Sequence, residues 1–186
     1  STQDGETRPA VVRGREVLFS QASVGRSMFV ELADGDGAAP LNFDGLCVSG
    51  ELRIFDARGS CNLKSLRVGG DLTISAGDGA EPRVDVTDSS VGGNLWLRGK
   101  FAYVRAWGCS VQGQFGGFDY TADRVVAPEC RIQGQSHFAA SDVVDIRAAK
   151  LTAGARVVSL ARPPGIAVEA SGLTADQDVV TEGKLR

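Results

Sequence analysis

The sequence predicts an all-β chain that forms a single right-handed parallel β-helix, a solenoid of about eight coils of 19–24 residues. Three observations predict it: a short unit recurs along the chain, apolar residues alternate within the unit, and glycine recurs at one place in it. The clearest copies are VGGDLTI, beginning at Val68, and VGGNLWL, beginning at Val91. A unit this short cannot bury its apolar face alone, so neighbouring units are expected to stack.

Eight copies of the unit align on one apolar anchor residue. The anchors are Val24, Val48, Val68, Val91, Val111, Ile132, Leu151 and Leu173, and the intervals between them are 24, 20, 23, 20, 21, 19 and 22 residues. Positions seven, five and two before the anchor, and four and six after it, are apolar or small in most copies. Steps of two are the strand period, and the single step of three predicts a corner. Each coil is therefore expected to contain short strands that pair in parallel with the coils on either side.

Glycine usually stands two residues after the anchor, at Gly50, Gly70, Gly93, Gly113 and Gly134. We expect a tight bend there, where a Cβ would crowd the next coil and where glycine also tolerates a positive φ. The three longest intervals contain polar segments rich in Asp, Gly and Pro, at 33–40, 75–82 and 162–165. These segments are expected to be loops on one edge of the rod.

The predicted organisation is an N-terminal segment, 1–15, that could cap the first coil, a repeat domain, 16–181, and a tail, 182–186. Gln177 and Asp178 intrude on apolar positions of the last coil, which indicates a polar cap, end-to-end docking or a piece of a longer protein. We favour a domain of something larger. The compartment stays open, with the cytoplasm favoured because no signal peptide is seen and the cysteines are unpaired.

The composition excludes several classes of function. The net charge is −3 with both signs mixed, so the chain lacks the basic face that nucleic-acid binding needs. The sequence contains no run of about 18 apolar residues, the length that insertion into a membrane needs. No cofactor motif is found, since VGGDL continues into another strand and not into the helix that a phosphate-binding glycine loop requires.

The Val-Gly-Gly-Asp/Asn-Leu units, with apolar or small residues at five-residue spacing before them, resemble the pentapeptide-repeat-like β-helical proteins of bacteria. The positions after the anchor do not keep that spacing, so the repeat is a relaxed form. The glycine-spaced valines also resemble those of bactofilins, which are polymerising β-helical scaffolds with shorter coils. The resemblance implies a scaffold, an inhibitor or an accessory domain, and it supplies no catalytic residues.

Little in the sequence points to catalysis or metal binding. His137, the only histidine, falls in an outward column with Arg53, Trp96 and Arg156, without the partners of a triad or a metal site. Asp34 and Asp36 resemble the start of a calcium loop that lacks its final glutamate. Asp85, Arg105 and Asp145 face outward from one region, as in the grooves of pectin-cleaving β-helices, but such mixed charge is typical of a solvated face. We therefore predict no catalytic residue and no metal site.

The cysteines show no metal-ligand spacing. Cys109 and Cys130 fall in one inward column on adjacent coils, and Cys61 falls in another. Free buried thiols are favoured, although a disulfide between stacked neighbours is possible if their side chains converge. Cys47 is expected to face outward and to be the most reactive.

Aromatic residues provide the candidate binding site. Trp96, Phe101, Tyr103, Trp107, Phe118 and Tyr120 fall within 25 residues, and both tryptophans take outward positions. Exposed aromatic clusters often bind proteins or sugars, so Trp96, Tyr103, Trp107, Phe118 and Tyr120 are the predicted binding residues. The alternative is that Phe101, Tyr103 and Phe118 fill corners of the coil while the tryptophans pack under a loop.

These features favour a non-catalytic scaffold or protein-interaction module that engages a protein partner through a rigid surface. The alternative is a carbohydrate-binding or carbohydrate-active β-helix that uses the same aromatics to stack on sugar rings. A third reading is end-to-end self-association.

Overall fold

The structure is a computed structural model and describes residues 10–12, 17–32, 40–117, 119–160 and 165–183. These residues form strands and turns without a helix, which confirms the all-β prediction. The strands stack as a solenoid of about seven turns, consistent with the right-handed parallel β-helix that the repeat predicts. Within these ranges, no helix is long and apolar enough to cross a membrane.

The described part of the chain contains short strands separated by tight corners. In chain order they are β1 (Ala10–Val12), β2 (Val17–Leu18), β3 (Ser23–Val24), β4 (Met28–Leu32), β5 (Leu41–Asn42), β6 (Cys47–Val48), β7 (Leu52–Ala57), β8 (Cys61–Asn62), β9 (Arg67–Val68), β10 (Leu72–Ala76), β11 (Arg83–Asp85), β12 (Ser90–Val91), β13 (Leu95–Arg105), β14 (Ser110–Val111), β15 (Phe115–Gly116), β16 (Tyr120–Val126), β17 (Arg131–Ile132), β18 (Ser136–Asp145), β19 (Lys150–Leu151), β20 (Ala155–Ser159), β21 (Ala167–Glu169), β22 (Thr174–Ala175) and β23 (Val179–Glu182).

The strands build two parallel sheets. The anchor strands form an eight-stranded sheet in the order β22-β19-β17-β14-β12-β9-β6-β3. The other fifteen strands form a second sheet with two arms, one made of strands that follow the anchors and one of strands that precede them. The arms are joined because β13 and β18 are long enough to pair in both: β13 pairs with β10 at one end and with β11 at the other.

The interior is filled by the apolar columns that the sequence predicts. Val48, Val68, Val91 and Val111 stack in register along the anchor sheet, each at most 3% exposed. The columns before and after the anchors are equally buried through coils 2–7, where a coil is numbered by its anchor. Burying one such side chain contributes about 1.5–3 kcal/mol, so the stack is held together mainly by apolar burial between neighbouring coils.

The glycine column has the crowding that was expected but not the backbone conformation. A Cβ on Gly134 would lie 2.5 Å from the backbone of Gly113 in the coil before it, and a Cβ on Gly93 would overlap the side chain of Asp71. Neither glycine has a positive φ. A positive φ recurs instead three residues before each of the first seven anchors, at Gln21, Gly45, Ser65, Asp88, Gly108, Glu129 and Ala148, and the other positive values do not follow the repeat in this way apart from that of Gly172. One left-handed residue per coil therefore turns the chain into the anchor strand.

The anchor predicted for the last coil is wrong by two residues. Leu151 pairs with Ala175 and not with Leu173, and the left-handed Gly172 stands three residues before Ala175, as at every other corner. The last interval is therefore 24 residues (175 − 151). A shift of two keeps side chains on the same face of a strand, so Leu173 imitates an anchor in the sequence.

With the corrected register, Gln177 and Asp178 stand two and three residues after the anchor, where coil 6 has Gly134 and Gln135. They lie at the corner and do not intrude on the interior positions. Those positions are taken by Val179 and Thr181, which pair with Ala155 and Val157. The residues of coil 8 are exposed from Thr174 onward, because the described chain stacks on only one side of this coil.

The structure describes the predicted terminal segments and the three predicted loops only in part. Residues Ala10–Val12 of the predicted cap form β1, which pairs in parallel with β4 and so adds a rung to the sheet. Of the three predicted loops, 75–82 begins inside β10 and turns at the exposed Asp78 and Gly79. The segments 33–39 and 161–164 lie outside the described residues, as do 184–186 of the predicted tail.

Candidate binding groove

The structure does not bring the predicted aromatic site residues together. Trp96 projects outward from β13 and is half-buried in a groove. Tyr103 lies farther along β13, where it lines a separate depression with Arg83 and Arg124. Trp107 stands at a corner, 41% exposed, with the Arg105 guanidinium carbon 5.4 Å from its ring centroid. Phe118 lies outside the described residues.

Tyr120 is not on the surface, although the sequence placed it in the exposed cluster. It is 2% exposed and packs inside the coil with the buried Phe101, their ring centroids 6.5 Å apart. Its hydroxyl donates to the His137 carbonyl at 2.7 Å and accepts from the Ala139 amide at 3.2 Å. Burial raises the pKa of the Tyr120 phenol well above its ordinary value. Tyr120 therefore has a structural role, and it pairs backbone groups of coil 6 that coil 5 leaves unpaired.

The groove exists because the sheet is interrupted at coil 5. Its strand after the anchor, β15, has only two residues, whereas β13 and β18 on either side have 11 and 10. Gly116 ends β15 with a φ of +89° and stands in register between Trp96 and His137. A depression of about 640 Å³ opens on the outer face at this break, where Gly117 lines it without a side chain.

His137 lies in the middle of the groove. Its Nδ1 lies 2.5 Å from the carbonyl oxygen of Gly117, which accepts the hydrogen bond. Its ring also contacts that of Tyr120, edge-on at 6.0 Å between centroids. The histidine is half-buried. The ring is fixed from the side of coil 5, where the chain leaves the sheet.

The far end of the groove is charged. Arg156 makes two hydrogen bonds to Glu182 across coils 7 and 8, from Nε to Oε1 at 2.8 Å and from a terminal nitrogen to Oε2 at 2.6 Å. The hydrogen bond from Arg156 lowers the pKa of Glu182, and the same bond raises the pKa of Arg156. The groove is also lined by three glutamines, Gln114, Gln135 and Gln177. The groove thus presents one aromatic ring, several amides and an ion pair.

The mixed-charge residues that the sequence placed in one region form two separate sets of ion pairs. Asp85 lies 3.6 Å from Lys64 and 4.0 Å from Arg105, on neighbouring coils. Asp145 is 5% exposed, so its expected place on a solvated face is wrong. It is buried because Arg147 covers it with two side-chain hydrogen bonds, at 2.9 and 2.7 Å. These carboxylates serve cross-coil and local pairing.

The described residues contain no group of three or more His, Cys, Asp or Glu that could hold a metal ion. Asp34 and Asp36, which resemble the start of a calcium loop, lie outside the described residues. The four cysteines are free thiols: Cys61, Cys109 and Cys130 are buried, and Cys47 is half-buried.

No protein-family model, curated protein or solved structure matches this chain. The resemblance to pentapeptide-repeat-like proteins and bactofilins stays a hypothesis. The groove itself was missed in the sequence, although one signal for it is visible there. Gly117 occupies a position where coils 1–4, 6 and 7 have Val, Ile, Leu or Phe, and a second glycine precedes it. Two adjacent glycines at strand positions indicate a break in a sheet.

Proposed function

We propose that this chain is a non-catalytic scaffold or interaction module whose groove binds an extended segment of a protein partner. The observation that carries the proposal is the groove between Trp96 and the Arg156–Glu182 pair, built on paired strands. Tryptophan and arginine are the residue types most often responsible for binding energy at protein interfaces. A site already held in place by its supporting strands loses little conformational entropy on binding.

The direction of the groove decides how a partner would be recognised. It crosses coils 4–8 along the stack, at right angles to the strands, and the longer strands that it crosses pair with strands on both sides, except β23, whose outer edge is unpaired at the end of the groove. A bound segment therefore cannot add as another strand within the groove. Recognition must come from side chains: stacking on Trp96, amide contacts with Gln114 and Gln135, and charge contacts at the Arg156 end.

Trp96→Ala and Trp107→Ala form a matched pair of variants, because both tryptophans face outward but only Trp96 lines the groove. A peptide library displayed on phage is selected on the wild-type chain, and the affinity of each recovered peptide is measured for both variants. We expect Trp96→Ala to weaken binding roughly 30-fold and Trp107→Ala to have little effect. Peptides that bind both variants equally well, or a selection that enriches none, would contradict the proposal.

One observation favours a carbohydrate as a second candidate ligand. Trp96 lines the groove together with Gln114 and Gln135, and sugars are commonly held by an aromatic face together with amide hydrogen bonds. A glycan array probed with the same two variants separates the candidates. Glycan binding that depends on Trp96, with no peptide enriched, would favour the carbohydrate.

End-to-end self-association stays a prediction. In the described residues, β22 and β23 pair on one side only, and Val180 at this end is 50% exposed. Light scattering as a function of concentration tests it independently of the groove.

A further inference from the structure

Two cysteines meet inside the β-helix. Cys109 of coil 5 and Cys130 of coil 6 each precede an anchor by two residues. The residues that follow them, Ser110 and Arg131, pair in register, so the cysteines stack directly. Their Sγ atoms are 3.0 Å apart, and the side chains are 2% and 0% exposed.

We propose that Cys109 and Cys130 are a redox site that forms a reversible disulfide between coils 5 and 6. Neighbouring strands lie about 4.8 Å apart, within the Cα separation of about 4.4–6.8 Å that a disulfide spans. The two sulfur atoms must approach by about 1 Å to reach the S–S bond length of about 2.05 Å. Small side-chain rotations provide such a movement while the paired backbone stays in place.

The other two cysteines have no such neighbour. Cys61 stacks between Leu41 and Val84, and Cys47 stacks between Ser23 and Arg67. Burial raises the pKa of the Cys61 thiol to about 12, which makes it a poor nucleophile. The stacked pair is thus the one place in the described chain where two thiols are already in contact.

The reaction needs an oxidant, and a small-molecule disulfide such as oxidised glutathione supplies it. One thiolate attacks the glutathione disulfide, which gives a mixed disulfide and releases one reduced glutathione. The second thiolate attacks the protein sulfur of the mixed disulfide, forms the Cys109–Cys130 bond and releases a second reduced glutathione. Two protein thiols are oxidised, one glutathione disulfide is reduced, and the two thiol protons end on the two glutathione thiols.

Exchange requires the coils to open. The contact with Cys130, together with burial, raises the pKa of the Cys109 thiol, so thiolate is scarce in the closed state. The interior also has no room for a mixed disulfide with glutathione. The bond therefore forms during folding or local opening, and it is shielded from reductants until the coils open again.

The position of the pair gives the bond a consequence. Coils 5 and 6 are joined weakly after the anchor, where β15 pairs with β18 only at Phe115 and Ser136. A covalent link two residues before the anchors would hold these coils together beside the interruption that creates the groove. The oxidised protein is therefore expected to open less often at coils 5 and 6.

The test uses the Cys47→Ala/Cys61→Ala double variant, which keeps only the stacked pair. The protein is unfolded and refolded either in a glutathione redox buffer or in excess dithiothreitol. In the redox buffer we expect both thiols to disappear, a Cys109–Cys130 linked peptide in the digest, and a melting temperature roughly 6–12 °C above that of the reduced sample. Both samples have the same sequence, so the comparison needs no assumption about the mutations.

The Cys47→Ala/Cys61→Ala/Cys130→Ala variant is the control, and its melting temperature should not depend on the refolding buffer. If that variant does not fold, the two redox states of the double variant decide alone. Two titratable thiols after denaturation of the sample refolded in glutathione, a disulfide between two molecules, or an unchanged melting temperature would overturn the proposal.

Discussion

Single polar residues set the corners that follow the anchors Val68 and Val91. Oδ1 of Asp71 accepts a hydrogen bond from the amide of Asn94 in the next coil at 2.7 Å, and Oδ1 of Asn94 accepts one from the amide of Gln114 at 2.8 Å. Each short polar side chain thus bridges to the following coil. The same side chains occupy the space that a Cβ on Gly93 or Gly113 would need. At these two corners, the glycine and the Asp or Asn of the preceding coil therefore depend on one another.

Replacing a crowded glycine should be costly where the obstacle is backbone. We expect Gly134→Ala to lower the free energy of unfolding by about 1–3 kcal/mol, because the new methyl group meets the Gly113 backbone at 2.5 Å. Gly25→Ala is the matched control, since nothing lies within 4 Å of its added Cβ. Urea denaturation measures both, and equal stabilities for the two variants would refute the crowding argument.

Asp145 should make stability depend on pH in the acid range. Burial acts to raise the pKa of its carboxyl, but the hydrogen bonds and charge of Arg147 outweigh it and hold the pKa below the ordinary 3.8. A depressed carboxyl pKa stabilises the folded state above the unfolded pKa, and this contribution is lost as the pH falls through the folded pKa.

We therefore expect the wild-type chain to have a higher melting temperature than the Asp145→Asn variant near neutral pH. The difference between the two melting temperatures should shrink below about pH 4. Asp78→Asn in the exposed turn is the control and should follow the wild type at each pH. A difference between wild type and Asp145→Asn that is constant from pH 7 to pH 3 would show that the Arg147 pair is not responsible.

At the scale of the strand, the short β15 explains both the groove and the burial of Tyr120. The chain leaves the sheet after Gly116 and returns at Tyr120 to begin β16. Backbone groups of His137 and Ala139 in β18 lose their partners over this gap, and the Tyr120 hydroxyl takes their place. One aromatic side chain thus supplies the hydrogen bonds that the interrupted sheet lacks at this point, and the outer face above it stays open.

Tyr120→Phe should remove the two hydrogen bonds of the hydroxyl and leave the ring in the core. Two buried backbone groups lose their partner, so we expect the free energy of unfolding to fall by about 1–3 kcal/mol and the Ala139 amide to exchange faster with solvent. Tyr103→Phe is the control, with an expected change within about 0.5 kcal/mol because Tyr103 is not buried. An unchanged hydrogen-exchange rate of the Ala139 amide in Tyr120→Phe would contradict this role of the hydroxyl.

At the scale of the whole molecule, the sequence predicted the fold correctly wherever a coil repeats the pattern of its neighbour. The anchors from Val24 to Leu151 and the interior columns were predicted because each column must stack on like residues in the next coil. The prediction failed where that constraint weakens. Leu173 was taken for an anchor in a coil with a neighbour on one side only, and Tyr120 was placed outside because the chain there departs from the repeat. The groove arises from this departure, so repeat statistics could not describe it.

The left-handed residue that recurs three positions before every anchor also limits how such a chain can change in length during evolution. Duplicating or deleting one complete turn returns the chain to the same corner and leaves the stacking phase intact. Gaining or losing half a turn would place an interior residue at that corner and misalign all later layers. Growth and shrinkage by gene duplication are therefore expected in whole turns, while the tolerated small insertions gather at bends such as Asp78–Gly79, which project away from the stack.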